Sequence, residues 1–249
     1  MQSSLICFAL KEEAAPFRKI AAGLASPPDI LLVGIGRQNA EQSVRAFLDS
    51  GRRRGNEPQI EEKSATPHVV AYQPTLVFTC GFAGGLHPDL KLGDVVFELS
   101  SGRRRGDESQ IEEKLETPYV VSYQKLIAAG AKPASIFCAD RIATTVAEKR
   151  ALREQTKADA VEMESGAIQA LCRERGIPCV TLRVISDTAH EDLPLDFNAL
   201  AKPDKNLDFG KLAWAIAKSP GKIGALLQLQ KKTSFAAQQL AAVLAKIIS

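Results

Sequence analysis

Three acidic residues and a methionine fall in one stretch, 161–187, at places where a chain presents side chains rather than hides them. Glu162, Met163 and Glu164 stand at the entry of a run in which Ala167, Ile168, Ala170, Leu171 and Cys172 recur at helical spacing, and Gly176 and Pro178 end it. Cys179 to Ile185 reads as a buried strand with one charge, Arg183, inside it; Ser186 and Asp187 sit where the strand stops. In open α/β sheets, side chains from separate elements converge beyond the strand ends. Two carboxylates and a thioether at a helix entry, facing a carboxyl at a strand tip, are groups for acid–base work, one donating a proton and another accepting one. The same residues also suit a plainer role as helix-capping acids around an ordinary α/β crevice.

The elements that must position them alternate between strand and helix. SLICFAL, residues 4–10, reads as a first strand, and KEEAAPFRKIAAGL as a helix with Glu12 and Glu13 in its first turn, where the helix dipole favours acids. DILLVGIG, 29–36, is a second strand, followed by the helix RQNAEQSVRAFLD. Its Gly34-Ile35-Gly36 lacks the third glycine of a dinucleotide loop and the GK[ST] of a P-loop, so the glycines serve a tight strand-to-helix turn. PTLVFTC is apolar almost throughout, as in a sheet covered on both faces, and ends in Gly81-Phe82-Ala83-Gly84-Gly85. LKLGDVVFEL and PASIFCAD are further strands, the latter ending at Asp140, and RIATTVAEKRALREQT continues through a helix. Toward the C-terminus, LAWAIA and the run 223–248 read as packing helices, with Trp214 on an apolar face; His190 reads as a solvated loop histidine.

The chain has 249 residues, 45% hydrophobic and 24% charged, an ordinary balance for a globular protein with a substantial core. No apolar run is long enough for a membrane span, and the N-terminus lacks the basic and apolar regions of a secretion signal. The five cysteines have no metal-ligand spacing and suit a reducing cytoplasm, so no metal or other cofactor is expected. Residues 51–73 and 102–124 are gapless near copies, and the intervening segment matches neither. They read as one segment inserted twice into an existing domain, as exposed hairpins or loops, passive or placed at a subunit contact or substrate mouth. Their GRRRG runs suggest nucleic-acid binding, but eight basic residues there meet eight acidic ones, and phosphate backbones require uncompensated positive charge.

Val161-Glu162-Met163-Glu164-Ser165, followed by Arg183-Val184-Ile185-Ser186-Asp187, resembles the purine nucleoside phosphorylase and nucleosidase family, in particular its methylthioadenosine/S-adenosylhomocysteine nucleosidases and hopanoid-associated phosphorylases. The resemblance implies a three-layer α/β/α fold with a mixed central sheet, a single domain over 1–249 carrying the two inserts. It implies cleavage of the bond between C1′ and the base of a 5′-modified purine nucleoside, in a cytoplasmic homodimer that binds neither nucleic acid nor membrane. Asp187, raised in pKa by desolvation and a neighbouring acid, would protonate the leaving base at N7, with Ser186 orienting it. Glu13 would take the proton of an attacking water, with Glu12 as the alternative register. Glu164 would grip the 2′- and 3′-hydroxyls, Met163 would wall the sugar, and Glu162 would lie near base or ribose. The backbone of Phe82, Ala83 and Gly84 would lie against the nucleoside, and Ile142 would offer main-chain contacts to the adenine edge. Arg183 shares a strand face with Asp187 by alternation and would reach toward the water and Glu13. The acidic turn after the first strand favours water over phosphate as nucleophile. Phosphorolysis, with Arg37 serving the anion, and a non-catalytic nucleoside-binding protein are the alternatives.

Overall fold

The computed structural model describes residues 4–50, 73–99, 123–200 and 220–248. Its elements run β1 (Ser4–Phe8), α1 (Lys11–Ala21), β2 (Asp29–Leu32), α2 (Arg37–Asp49), β3 (Leu76–Gly85), β4 (Val95–Leu99), α3 (Tyr123–Ala129), β5 (Lys132–Pro133), β6 (Ile136–Cys138), α4 (Val146–Thr156), β7 (Ala160–Glu162), α5 (Ser165–Glu174), β8 (Cys179–Asp187), α6 (Phe197–Leu200) and α7 (Ile223–Ile248). The inserted copies, apart from Gln73, Tyr123 and Gln124, lie outside the described residues, as does Trp214.

Successive side chains of a strand point to opposite faces, and here each face has its own core. Ile6 and Phe8 of β1, Phe78 and Cys80 of β3, and Leu182 and Val184 of β8 pack with Phe17 of α1, Leu126 of α3, and Leu240 and Leu244 of α7. Leu5 and Cys7, Val77 and Cys179 turn the other way, onto Val44 and Phe47 of α2 and Ile168 and Leu171 of α5. The result is a helix–sheet–helix sandwich, as the resemblance implied. The described strands form one eight-stranded sheet with the path β2-β1-β3-β8-β4-β5. β4 runs antiparallel to β8, β7 antiparallel to the end of β3, and β6 parallel to β7, which makes the sheet mixed. Among the described residues no helix is long and apolar enough to cross a membrane.

Two departures from the sequence reading shape the site. β3 does not stop at Cys80 but continues to Gly85, because it stays paired with β8 as far as the Gly84–Asp187 pair. Between Ile185 and Asp187 the register slips, leaving Ser186 as an extra residue on β8. A bulge of this kind breaks strict alternation. Arg183 and Asp187 therefore do not share a face in the way that an i, i+4 spacing implies.

α4 is fixed at its N-terminus by a reciprocal cap: Thr145 Oγ1 accepts from the Glu148 N–H at 3.2 Å, and the Glu148 carboxylate accepts from the Thr145 N–H at 3.1 Å. Replacing Thr145 with Ala should cost about 1 kcal/mol of stability, the usual loss for a capping hydroxyl. Urea unfolding of the wild type and Thr145→Ala measures it.

Candidate active site

At the C-terminal end of the central strands, four charged side chains are buried together. Arg183 sits on β8 on the same face as Thr79 of β3 and donates to Thr79 Oγ1 at 3.0 Å. It also donates to Glu162 and, at 3.4 Å, to Glu164 Oε2. Glu13 completes the group. It lies in the first turn of α1 and accepts from two main-chain N–H groups, Leu10 and Phe82, both at 2.9 Å. The Leu10 bond is the reach-back half of an N-terminal cap; the Phe82 bond ties α1 to β3. Glu12, the alternative register, is exposed and pairs with Lys11 at 3.8 Å, whereas Glu13 is buried in this cluster.

Gly81, with φ +153°, makes this grouping possible. A β-carbon there would stand 2.6 Å from Arg183 Nη1 and 2.9 Å from Glu13 Oε1. The glycine segment after PTLVFTC is thus kept clear for protein side chains as well as for any ligand.

The three carboxylates have different standing. Glu162 is spent inside the protein: it accepts from the Glu164 N–H at 2.9 Å, the Ser165 N–H at 2.8 Å, Ser165 Oγ at 2.6 Å and Arg183. Burial works against its charge, but the Arg183 guanidinium and these donors outweigh burial and hold its pKa below the usual carboxylate range. Glu162 ends β7, accepts from the amides at the start of α5, and anchors Arg183. Glu164 is less fully engaged. It accepts from the Gly36 N–H at 2.9 Å, where the positive φ of Gly36 aims the amide at it, and from Arg183. Burial raises its pKa against the opposing pull of Arg183. Glu13 is pushed up to about 7, first by burial, with the Phe82 N–H and Arg183 opposing and Glu164 adding to the rise. A carboxyl that loses its proton near neutrality is matched to general-base work.

Asp187 stands apart from this cluster. Gly84 has Asp187 Oδ1 at 3.3 Å and the Val161 side chain at 3.3 Å from the place its β-carbon would take. Gly81 and Gly84 are three residues apart on β3, roughly 10 Å along an extended strand. The Asp187 end and the Glu13–Glu164–Arg183 end therefore border the same glycine segment of β3. Met163, buried, lies in the chain between Glu162 and Glu164. Ser186 Oγ donates to Asp187 Oδ2 at 2.9 Å. The surroundings expected for Asp187, desolvation with another acid alongside, are corrected: the side chain against it is a lysine. Lys149 of α4 puts its Nζ 2.5 Å from Oδ1, an ion-pair contact rather than a well-aligned hydrogen bond.

Three further expectations change. Both main-chain polar groups of Ile142 are engaged by one carboxamide: its N–H donates to Asn198 Oδ1 and its carbonyl accepts from Asn198 Nδ2, each at 2.9 Å. Phe82 packs its ring toward the α1–α7 core and contributes its N–H to Glu13, while Ala83 is buried with Val96, Ala160 and Ile185. Arg37 donates to the Cys138 carbonyl and pairs with Asp140 at 3.4 Å, so the cation considered for phosphate is already partnered. His190 is exposed and lies 3.2 Å from the Pro88 carbonyl. Among the described residues no group of three His, Cys, Asp or Glu side chains is placed to hold a metal ion.

Comparison with known proteins agrees with this architecture. The profile of the phosphorylase superfamily matches residues 18–217. The chain is 28% identical over 151 residues to the aminodeoxyfutalosine nucleosidase of Helicobacter pylori, covering 55% of this chain and 65% of that protein. It is 30% identical over 149 residues to the 5′-methylthioadenosine/S-adenosylhomocysteine nucleosidase of Shewanella halifaxensis, covering 52% and 64%. The matches thus span just under two thirds of the length of these relatives. Among solved structures, the Neisseria meningitidis 5′-methylthioadenosine/S-adenosylhomocysteine nucleosidase in complex with methylthio-immucillin-A superimposes with a TM-score of 0.61 at 18% identity, over 100% of this chain and 99% of that one. The Helicobacter pylori enzyme with butyl-thio-DADMe-Immucillin-A gives 0.60 at 19%, over 100% and 98%. At these identities the structural likeness establishes the fold.

Because Glu162 neutralises a fully buried guanidinium, Glu162→Gln should destabilise the chain by about 3 kcal/mol, the order seen when one member of a buried ion pair is removed. Chemical unfolding monitored by circular dichroism checks this. A loss below about 0.5 kcal/mol would show that Glu164 alone suffices for Arg183.

Proposed function

The chain belongs to the phosphorylase superfamily, and from that premise we propose that it hydrolyses the N-glycosidic bond of a 5′-modified adenine nucleoside. The observation that carries this reading is the surplus of buried carboxylate around a single guanidinium, with Glu13 poised near neutral pH. As the bond from C1′ to the base breaks, the sugar takes on oxocarbenium character and the base leaves with the electron pair. A site of net negative potential stabilises that cation and repels an incoming phosphate. An attacking water, in contrast, can pass its proton to an adjacent carboxylate as its oxygen bonds to C1′. The prior engagement of Arg37 further favours water over phosphate.

In this reading Asp187 gives its proton to N7 of the leaving purine, Glu164 accepts hydrogen bonds from the ribose hydroxyls, and Met163 lines the sugar. Glu13 takes a proton from the water that attacks C1′. Arg183 reaches no reacting atom; it keeps Glu164 and Glu13 in place. The relatives named above, nucleosidases for 5′-methylthioadenosine, S-adenosylhomocysteine and aminodeoxyfutalosine, support the substrate class.

Incubation with 5′-methylthioadenosine should release adenine and a free sugar at a rate independent of added phosphate. Formation of a sugar 1-phosphate only when phosphate is present would instead make the chain a phosphorylase. Binding without release of adenine, at any phosphate concentration, would make it a nucleoside-binding protein. Since Glu13 acts as a base only when ionised, kcat/KM should fall as pH drops through about 7. Glu13→Gln should lose at least about 100-fold in kcat, in line with removal of a general base.

A further inference from the structure

Lys149 is a charged side chain with no exposed surface, in the middle of α4. An ammonium buried this way costs several kcal/mol unless all its protons find partners. Here it donates to the Thr188 carbonyl at 2.7 Å and the Glu191 carbonyl at 2.9 Å and forms an ion pair with Asp187 Oδ1 at 2.5 Å. The loop that supplies the two carbonyls is itself closed, because the Thr188 N–H donates to the Glu191 carboxylate at 2.8 Å. Lys232 of α7 also pairs with Glu191. One oxygen of Asp187 thus meets an ammonium while the other is met by Ser186 Oγ at 2.9 Å, and the carboxyl group is held at both ends.

We propose that Lys149 is a positioning residue for the cleavage reaction, holding Asp187 by Oδ1 so that Oδ2 delivers the proton to the leaving base, and stabilising the carboxylate left behind. This rests on the reading of Asp187 as the acid. In the step, the Oδ2–H bond breaks and the N7–H bond forms, the electron pair of the C1′–N9 bond passes to the purine, and water adds to C1′. Lys149 keeps its protons throughout. A cation beside a carboxyl favours the ionised form, which helps the proton leave and hinders its return. The other ionisable groups near the pair are already committed, Glu191 to Lys232, and Asp94 on the β4 side to Lys132 at 2.8 Å. Lys149 is therefore the charge whose removal Asp187 should register.

The test compares wild type, Lys149→Met, Lys149→Gln, Lys149→Arg and Asp187→Asn, with folding checked by thermal unfolding and adenine release from 5′-methylthioadenosine followed against pH. Lys149→Gln and Lys149→Arg keep donors for the Thr188 and Glu191 carbonyls and carry the test if Lys149→Met does not fold. The neutral variants should lose at least about tenfold in kcat with KM changed less than about threefold, and their alkaline limb should move up by about one pH unit or more. Lys149→Arg should keep the wild-type limb. A folded Lys149→Gln with wild-type kcat and an unmoved limb overturns the proposal while Asp187→Asn remains inactive. If Asp187→Asn turns over like wild type, the acid assignment itself falls. Titration of the Asp187 carboxyl by 13C NMR needs no turnover: a higher midpoint in Lys149→Gln supports the proposal, and an unchanged one overturns it.

Discussion

One guanidinium answers for three carboxylates at the buried end of the sheet, and the neighbouring structure is arranged around that imbalance. Arg183 cannot give up its proton, so it anchors the charge cluster whatever the pH. Glu162 is its committed partner, tied down by Ser165 and the amide of Glu164. Glu164 and Glu13 share what remains of the positive charge. Both are held by main-chain N–H groups, from Gly36 for one and from Leu10 and Phe82 for the other. Burial raises the pKa of both, that of Glu13 to about 7. The cluster tolerates burial because each acid has donors, yet it retains a capacity for one more positive charge. A sugar passing through a cationic state would fill that capacity.

The sheet gives the site its second pole. β3 carries glycine where Arg183 and Glu13 approach it and glycine again where Asp187 approaches it. The extra residue at Ser186 turns Asp187 away from the Arg183 face. It thereby comes under α4, where Lys149 waits, instead of joining the acid cluster. The two poles keep separate electrostatic surroundings, Asp187 beside a lysine and Glu13 beside another acid and an arginine.

The outline of this arrangement was legible in the residues. Apolar spacing located α2 and α5, and the near-continuous apolar strands announced a sheet covered on both faces. Glu13, Glu164 and Asp187 stood out as acids at element ends. What was hidden depended on pairing between distant segments. Glycines after Cys80 argue for a loop, and only the neighbouring β8 holds them in strand geometry. The bulge at Ser186 exists only relative to its partner strand. Glu162 and Glu164 look alike in sequence, but one closes β7 and the other opens α5. Lys149 was the clearest miss: it stands three residues after Val146 and three before Leu152, on the inner stripe of the helix. A lysine in phase with the apolar positions of a helix is the signal that would have found it.

The surplus negative charge is most directly tested by affinity. An adenine nucleoside analogue whose sugar is replaced by a protonated pyrrolidine should bind at least about 100-fold more tightly than its uncharged carbocyclic counterpart, as expected when a site is complementary to a cationic transition state. That advantage should shrink in Glu164→Gln. Equal affinity for the charged and uncharged analogues in the wild-type protein would contradict the account.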